Sequence, residues 1–376
     1  MSVEIKRVET KRDFNRFLSF PLKLYKDMPS FVPPLRMDDA DTLNPKKNAA
    51  SEFCDSALFL AYKDGEVAGR VCAIVNRSAN EKWGHSEVRF GWFDFIDDKE
   101  VSAALLQAVT DFGKERGMTT ITGPLGFTDF DPEGMLIEGY ECMSTMALHH
   151  NWPYYKDHME ALGYEKEVDW VEYKIYLPDT LPEKYARVGK IVEEKYGLRV
   201  RPLTRKAIFK EGLGYKLFDL VNETYSQLYN FTILPKGLID KYVSFYLGIL
   251  DIKFLTMVED ADHNPVGFGF TMPSITRALQ KCNGKLFPFG WFHLLKSMYF
   301  KYEENVELLL IGVKPEYRNK GVNALIFSDL LPKYVKAGFK YAETNAELEY
   351  NHSVQAMWSD FEVEQKKRRR VYKKEI

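Results

Sequence analysis

Arg318, Lys320 and Gly321 stand on one short polar stretch, Lys314-Pro-Glu-Tyr-Arg-Asn-Lys-Gly, between two apolar runs. Two cations and a glycine this close together suit anion binding. The cations supply charge, and glycine lets backbone amides come near a phosphate. The preceding run, Leu308 to Val313, has the length of one buried strand. The following run, Val322-Asn323-Ala324-Leu325-Ile326-Phe327, has helical spacing. A helix beginning there leaves its first amides without internal partners and turns partial positive charge toward the loop. The stretch from Glu307 to Asn323 therefore reads as strand, phosphate-binding turn and helix start.

Other reactive residue types give less. His149-His150 and His158 lack a carboxylate or cysteine pattern beside them, so no metal site is expected. The basic run Lys366 to Lys374 is flanked by acidic residues and reads as a solvated last strand, not a nucleic-acid contact. The chain contains no GxSxG elbow, Walker loop or complete dinucleotide fingerprint.

At 376 residues, 45% hydrophobic and 28% charged, the chain has the content of two globular domains. Its 52 basic and 54 acidic residues nearly cancel, which gives no global field toward nucleic acid or membrane. Four scattered cysteines make no CxxC pair and fit a reduced compartment. The charged start Met1-Ser-Val-Glu-Ile-Lys-Arg is unlike a signal peptide, and no run reaches membrane-spanning length. A soluble cytoplasmic protein, monomer or homodimer, is expected, without nucleic-acid or membrane partner.

The elements that must position the turn follow from periodicity. Residues 57–62 and 67–75 read as a hairpin about Lys63-Asp-Gly-Glu, 89–96 as a strand, 99–116 as a helix and 118–123 as a strand. A Gly- and Pro-rich loop, a helix at 154–162 and strands at 164–177 follow. In the second half, 205–228 and 235–250 read as helices and 252–258 and 266–271 as strands. After the turn come a strand at 340–346, a helix at 353–361 and a terminal strand at 369–373. The order of elements repeats, as do the hairpins at Asp64 and Asp262 and the positions of Asn151 and Asn351. A boundary is expected in the proline cluster Pro178 to Pro182. The fold class is mixed α/β (α+β), with residues 1–180 and 181–376 as the domains and a helical, aromatic-rich insertion at 273–305.

The second half resembles the GNAT acyltransferase superfamily. The acyl-CoA loop of that family has the pattern Arg/Gln-x-x-Gly-x-Gly/Ala, here Arg318-Asn-Lys-Gly321-Val-Asn323 after the lead-in Val313-Lys-Pro-Glu-Tyr-Arg318. The whole chain resembles the tandem arrangement of protein N-myristoyltransferases, peptidoglycan-bridge aminoacyltransferases and mycothiol synthases. The resemblance implies two GNAT-like domains, each a mixed, mostly antiparallel sheet with flanking helices and a V-shaped splay. Asn323 stands where the family has Gly or Ala, and Trp358 where many members have the tyrosine that protonates the departing thiolate.

The resemblance also implies acetyl-CoA or another acyl-CoA as co-substrate and a small-molecule or peptide amine as acceptor. Arg318, Asn319, Lys320, Gly321, Val322 and Asn323 would hold the pyrophosphate. Amides along Ile311, Gly312 and Val313 would pair with pantetheine, and Asn351 would reach it or cap its own helix. Glu307 stands where many members carry a base or water-relaying carboxylate, and Glu347 and Tyr350 lie on the facing strand end. Glu307 and Tyr350 are the catalytic candidates. The expected activity is direct N-acyl transfer, acetyl in the first instance, in a ternary complex. Two alternatives stay open: an acyl-CoA-binding protein with reduced turnover, and a transferase taking its donor from aminoacyl-tRNA.

Overall fold

The computed structural model describes residues 2–180 and 182–376. Leu181, inside the expected boundary, lies outside the described residues. The chain forms two compact units that are not contiguous in sequence. The first holds the chain up to Val171 together with Thr276–Trp291 and Lys366–Ile376; the second holds Glu172–Ile275 and Phe292–Gln365. The compact units first part at Val171/Glu172, a few residues before the proline cluster. The insertion expected at 273–305 is shared between the units, and the last strand of the chain joins the first unit from Lys366 onward.

In the first unit, strands Glu4–Arg7, Cys54–Lys63, Glu66–Asn76 and Glu87–Phe95 pair antiparallel in that order. Strand Thr120–Gly123 then pairs parallel to Glu87–Phe95, and the end of Val363–Glu375 pairs antiparallel to Thr120–Gly123. A parallel neighbour needs a crossover, which helix Lys99–Lys114 supplies. Its buried Val101, Leu105, Leu106, Val109 and Phe112 recur at helical spacing and pack with Val71, Phe90 and Ile121. Asp98 caps it, accepting from the amides of Glu100 and Val101.

The second unit repeats this plan. Strands Leu255–Glu259, Pro265–Pro273 and Asn305–Val313 pair antiparallel, and Tyr341–Thr344 pairs parallel to Asn305–Val313. Helix Val322–Ala337 is the crossover, burying Val322, Leu325, Ile326, Leu330 and Tyr334 with Phe254, Val258, Val266 and Val306. Gly267 and Gly269 let it sit close. A Cβ on Gly267 would lie 2.6 Å from Val322 Cγ1, and one on Gly269 3.1 Å from Ile326 Cγ2. The alternate residues Phe268 and Phe270 face the other side, where Phe270 meets Phe218 of helix Leu213–Tyr225 edge to face.

Several expected elements differ in detail. The helix expected over 205–228 is two, Arg205–Phe209 and Leu213–Tyr225, because Gly212 takes φ 75° between them. The helix expected at 353–361 is one turn, His352–Gln355, tightening into a 3₁₀ turn at Ala356–Trp358. Residues 164–177 hold one strand, Glu165–Tyr176, and helix Glu183–Tyr196 has no counterpart in the periodicity reading. No helix among the described residues is long and apolar enough to cross a membrane.

Candidate active site

Strand Asn305–Val313 runs through the middle of the second unit and changes character along its length. Its first residues are paired on both edges: Pro265–Pro273 lies on one side, and Tyr341–Thr344 pairs on the other only from Asn305 to Leu308. Against Pro265–Pro273 the register slips, Phe270 facing Leu310 while Thr271 faces Leu308, so Leu309 is the extra residue of a bulge. Such a bulge bends the strand and re-aims its amides. From the bulge to Ile311 the strand is only half-buried, where the sequence suggests full burial, because no strand among the described residues covers that edge.

Tyr225, the last residue of helix Leu213–Tyr225, braces this open edge. Its hydroxyl donates to the Ile311 carbonyl at 3.0 Å and accepts from the Ile311 amide at 3.2 Å. Alternation along a strand turns Gly312 back toward its neighbour Phe268, so three successive amides cannot all face a ligand. Of the expected trio, the Ile311 amide is already held by Tyr225, Gly312 points into the sheet, and Val313 shares the Ile311 direction. Gly312 matters for space instead: a Cβ there would lie 2.6 Å from the Phe268 ring and 2.7 Å from Thr224 Oγ1.

The strand leads through a 3₁₀ turn, Pro315–Tyr317, into the loop at Arg318. Asn319 takes φ 65° and Gly321 φ 79°, folding the chain back before helix Val322–Ala337. A Cβ on Gly321 would meet Val192 Cγ2 at 2.5 Å, so both conformation and space require glycine. Gly321 is the helix N-cap and brings no side chain to it. Among the described residues, no acceptor faces the amides of Asn319, Gly321, Val322 and Asn323. Arg318 is exposed, and Lys320 Nζ sits 4.6 Å from the centre of the Tyr317 ring. Tyr317 is fixed in turn by donating to Asp260 at 3.3 Å. Asn323 carries a buried side-chain oxygen without a partner. Free amides, two cations and an uncapped helix of 16 residues are what a phosphate needs.

The carboxylates lie on the paired side of the bulge and beyond it. Glu307 is 1% exposed and accepts from Ser274 Oγ at 2.7 Å, while Glu343 stands opposite it in the parallel register. Glu343 accepts from Asn305 Nδ2 at 2.5 Å. Glu347, on the short strand Glu347–Leu348, accepts from Trp358 Nε1 at 2.9 Å, and its other oxygen is buried with no hydrogen-bond partner. Burial pushes its carboxyl up to about 8, against the Trp358 hydrogen bond, which favours the charged form. Burial likewise pushes the Tyr225 hydroxyl up, and the Glu347 charge adds to the effect, so the two groups sense each other.

Other candidates are placed differently. Tyr350 is 54% exposed beyond the strand end. Asn351 begins the one-turn helix without a side-chain cap, whereas its counterpart Asn151 is buried and brackets Leu136, accepting from its amide and donating to its carbonyl. Trp358 is buried against Phe327. His158 contacts Ser102 and Asp97, and His150 contacts Ser144 and the Tyr140 carbonyl. Sequence reasoning missed Tyr225 as the brace and Val192 as the wall behind Gly321. The only local signal for Tyr225 is a tyrosine closing an amphipathic helix.

No family model matches the chain. It is 27% identical over 376 residues to Protein YghO of Escherichia coli K12, covering 97% of this chain and 94% of that protein. It is 26% identical over 313 residues to a protein named bacterial ceramide synthase from Caulobacter vibrioides, covering 83% and 80%. Among solved structures, a tandem GNAT protein from the clavulanic acid biosynthesis pathway matches with TM-score 0.54 and 12% identity, covering 100% of this chain and 98% of that one. A GCN5-related glucosamine N-acetyltransferase region of a fungal multi-domain protein matches with TM-score 0.57 and 11% identity, covering 99% of this chain and 38% of that one. The chain therefore has the fold of the GNAT acyltransferases, matched along its whole length by a tandem member of that superfamily.

Proposed function

We propose that this chain transfers an acyl group from an acyl-CoA thioester to the nitrogen of an amine. The observation that carries the reading is the conjunction of an uncapped, glycine-turned helix start with an opened strand edge and a buried carboxyl beside it. Arg318, Lys320 and the free amides of Asn319 and Gly321 to Asn323 would hold the pyrophosphate. The edge at Ile311 and Val313 would take the pantetheine arm once Tyr225 yields its contacts. Domain by domain, we read residues 1–180 and 181–376 as two GNAT repeats, with the donor site in the second.

In the reaction the amine nitrogen bonds to the thioester carbon and the carbon–sulfur bond breaks. The departing thiolate takes one proton, and the new amide nitrogen loses one. Glu347 suits the first step, since a carboxyl raised to about 8 is protonated at neutral pH and can donate. Glu307, held by Ser274, is the candidate base for the second. This assignment gives Glu347 the proton that a tyrosine at position 358 would supply, with Trp358 orienting it. Tyr350, half in solvent, is better suited to contact the acceptor than to move its proton.

The relative named bacterial ceramide synthase favours a long acyl chain and a lipid amine over acetyl and a small amine, ceramide being an N-acylated long-chain amino alcohol. Thiol release and amide mass, measured with acyl-CoA donors from acetyl to palmitoyl against amino acids, polyamines and long-chain amino alcohols, test both levels. Turnover confined to long donors supports the lipid reading, and turnover with acetyl-CoA supports the small-acyl one. Binding of CoA thioesters without turnover makes the chain a binding protein. No thermal stabilisation by any of them removes the reading.

A further inference from the structure

Hydrophobic side chains on the run Lys285 to Lys301 point the wrong way for a water-soluble helix. From Gly290 to Phe300 the backbone is one unbroken helix, its second half π-wound. It buries Leu294 and Met298 at i, i+4 spacing, as a docked helix should. Its solvent face nevertheless carries Phe292, Leu295 and Phe300, the last 84% exposed, and the loop before it exposes Phe287 at 75% and Phe289 at 73%. At about 200 Å² per ring, the four phenylalanines together leave on the order of 500 Å² of aromatic surface in water within one short run of chain, unlike the singly scattered hydrophobes of an ordinary surface.

Charge identifies the occupant. No Asp or Glu stands between Asp262 and Glu303, whereas Arg277, Lys281, Lys285, Lys296 and Lys301 all do, in a chain whose net charge is −2. Lys285, Lys296 and Lys301 are exposed and interleave with the rings. A second copy of the chain docking on this face would set lysine against lysine. An acidic lipid surface meets the lysines with headgroups and the rings with the acyl boundary, where aromatic side chains settle.

We infer that residues 285–301 form an interfacial membrane-docking element that seats the protein on anionic bilayers without crossing them. This departs from the expectation of no membrane partner, which rested on whole-chain charge; the local charge is one-sided. The inference rests on these exposed residues and not on the acyl-transfer reading.

Flotation of the full chain with phosphatidylcholine vesicles, with and without about a quarter phosphatidylglycerol, is the test. The wild type should float with the anionic vesicles. The double variant Phe287→Ser/Phe300→Ser should lose about tenfold in binding, and Lys285→Glu/Lys296→Glu a similar factor, more at low salt than at high. Trp291 emission should shift to the blue on binding, with Trp291→Phe as the control. These side chains lie at the surface, so an unchanged melting temperature shows the variants are folded. If the serine variant unfolds, the lysine variant carries the test. The inference is overturned if the wild type does not float, or floats equally well with all variants. It is also overturned if light scattering finds a dimer that the serine variant dissolves, or if acyl-CoA alone protects 286–300 from exchange while vesicles do not.

Discussion

Replacing Glu347 by Gln tests the electrostatics of the cleft directly. The Glu347 carboxyl sits at about 8 in the folded chain against an ordinary 4.5, with burial as the dominant cause. A raised folded-state value means the native protein holds a proton that the unfolded chain gives up between those two points. The stability associated with this group is therefore complete below 4.5. It falls as pH rises and is lost above 8, where the native state must carry a buried carboxylate. At 1.36 kcal/mol for each unit, the full loss is about 5 kcal/mol, an upper figure because local relaxation admits water. Glutamine has nearly the same shape and keeps an acceptor for Trp358 Nε1, but it never ionises. Urea unfolding at pH 5, 7 and 9 should show Glu347→Gln within about 1 kcal/mol of the wild type at pH 5 and more stable by several kcal/mol at pH 9. A difference that is the same at both ends, or a variant less stable at pH 9, refutes the reasoning. If Glu347 also donates the proton to the thiolate, the same variant should lose about 10²-fold in kcat while still being stabilised by CoA.

Three further outcomes follow from the same geometry. Tyr225→Phe strips the hydroxyl from both main-chain groups of Ile311 and should cost about 1–3 kcal/mol in thermal or urea unfolding; a bound pantetheine arm would replace the lost contacts, so CoA thioesters should then stabilise the variant more than the wild type. Trp358→Phe removes the larger of the two hydrogen-bonding contributions, from Trp358 and Thr344, that favour the charged form of Glu347. The pH midpoint of the stability loss should move upward, visible as a basic shift in the unfolding series. Gly321→Ala meets both a left-handed φ and a 2.5 Å contact with Val192; it should destabilise by about 1–2 kcal/mol and abolish CoA stabilisation, whereas the exposed Arg318→Gln should weaken binding in a salt-dependent way with an unchanged melting temperature.

The turn was legible because everything it needs is local. Gly321 ends one pattern and begins another, and the cations flanking it are adjacent in sequence. Crossover helices such as Lys99–Lys114 were legible for a similar reason: a buried face repeats every three or four residues and marks itself. Features made by distant parts of the chain left no such trace. Tyr225 reaches Ile311 across 86 positions, and nothing near Tyr225 announces an open strand edge. Glu347 looks like any solvated glutamate until Trp358 and the surrounding fold bury it. The strand expected at 369–373 is there, within Val363–Glu375, but it is not the solvated strand its basic run suggests: Lys367 and Arg369 are buried, because it pairs with partners such as Thr120–Gly123, far earlier in the chain. Gly212 was a visible breaker, yet apolar spacing continues on both sides of it and hides the break.

The two units share a plan, so their differences show what the second has gained. In each, a central strand pairs antiparallel on one edge and parallel on the other, carries a register slip, and feeds a crossover helix. In the first unit the helix start is closed: Asp98 occupies the amides of Glu100 and Val101, and Lys63 neutralises Asp98. The end of its central strand is closed as well. The Phe95 amide donates to Tyr155 at 3.0 Å, its carbonyl accepts from Tyr154, and Arg70, Asp94 and Tyr25 knit a buried network behind them. A carboxylate at a helix start stabilises the helix and repels an anion for the same reason. In the second unit the equivalent start is a glycine that offers no side chain, and the strand edge is held by one tyrosine hydroxyl instead of a network. A glycine in place of a carboxylate cap gives up roughly a few tenths of a kcal/mol of local stability. That sacrifice, made in only one of two copies of the same plan, is explained if the open amides of that copy are reserved for a ligand.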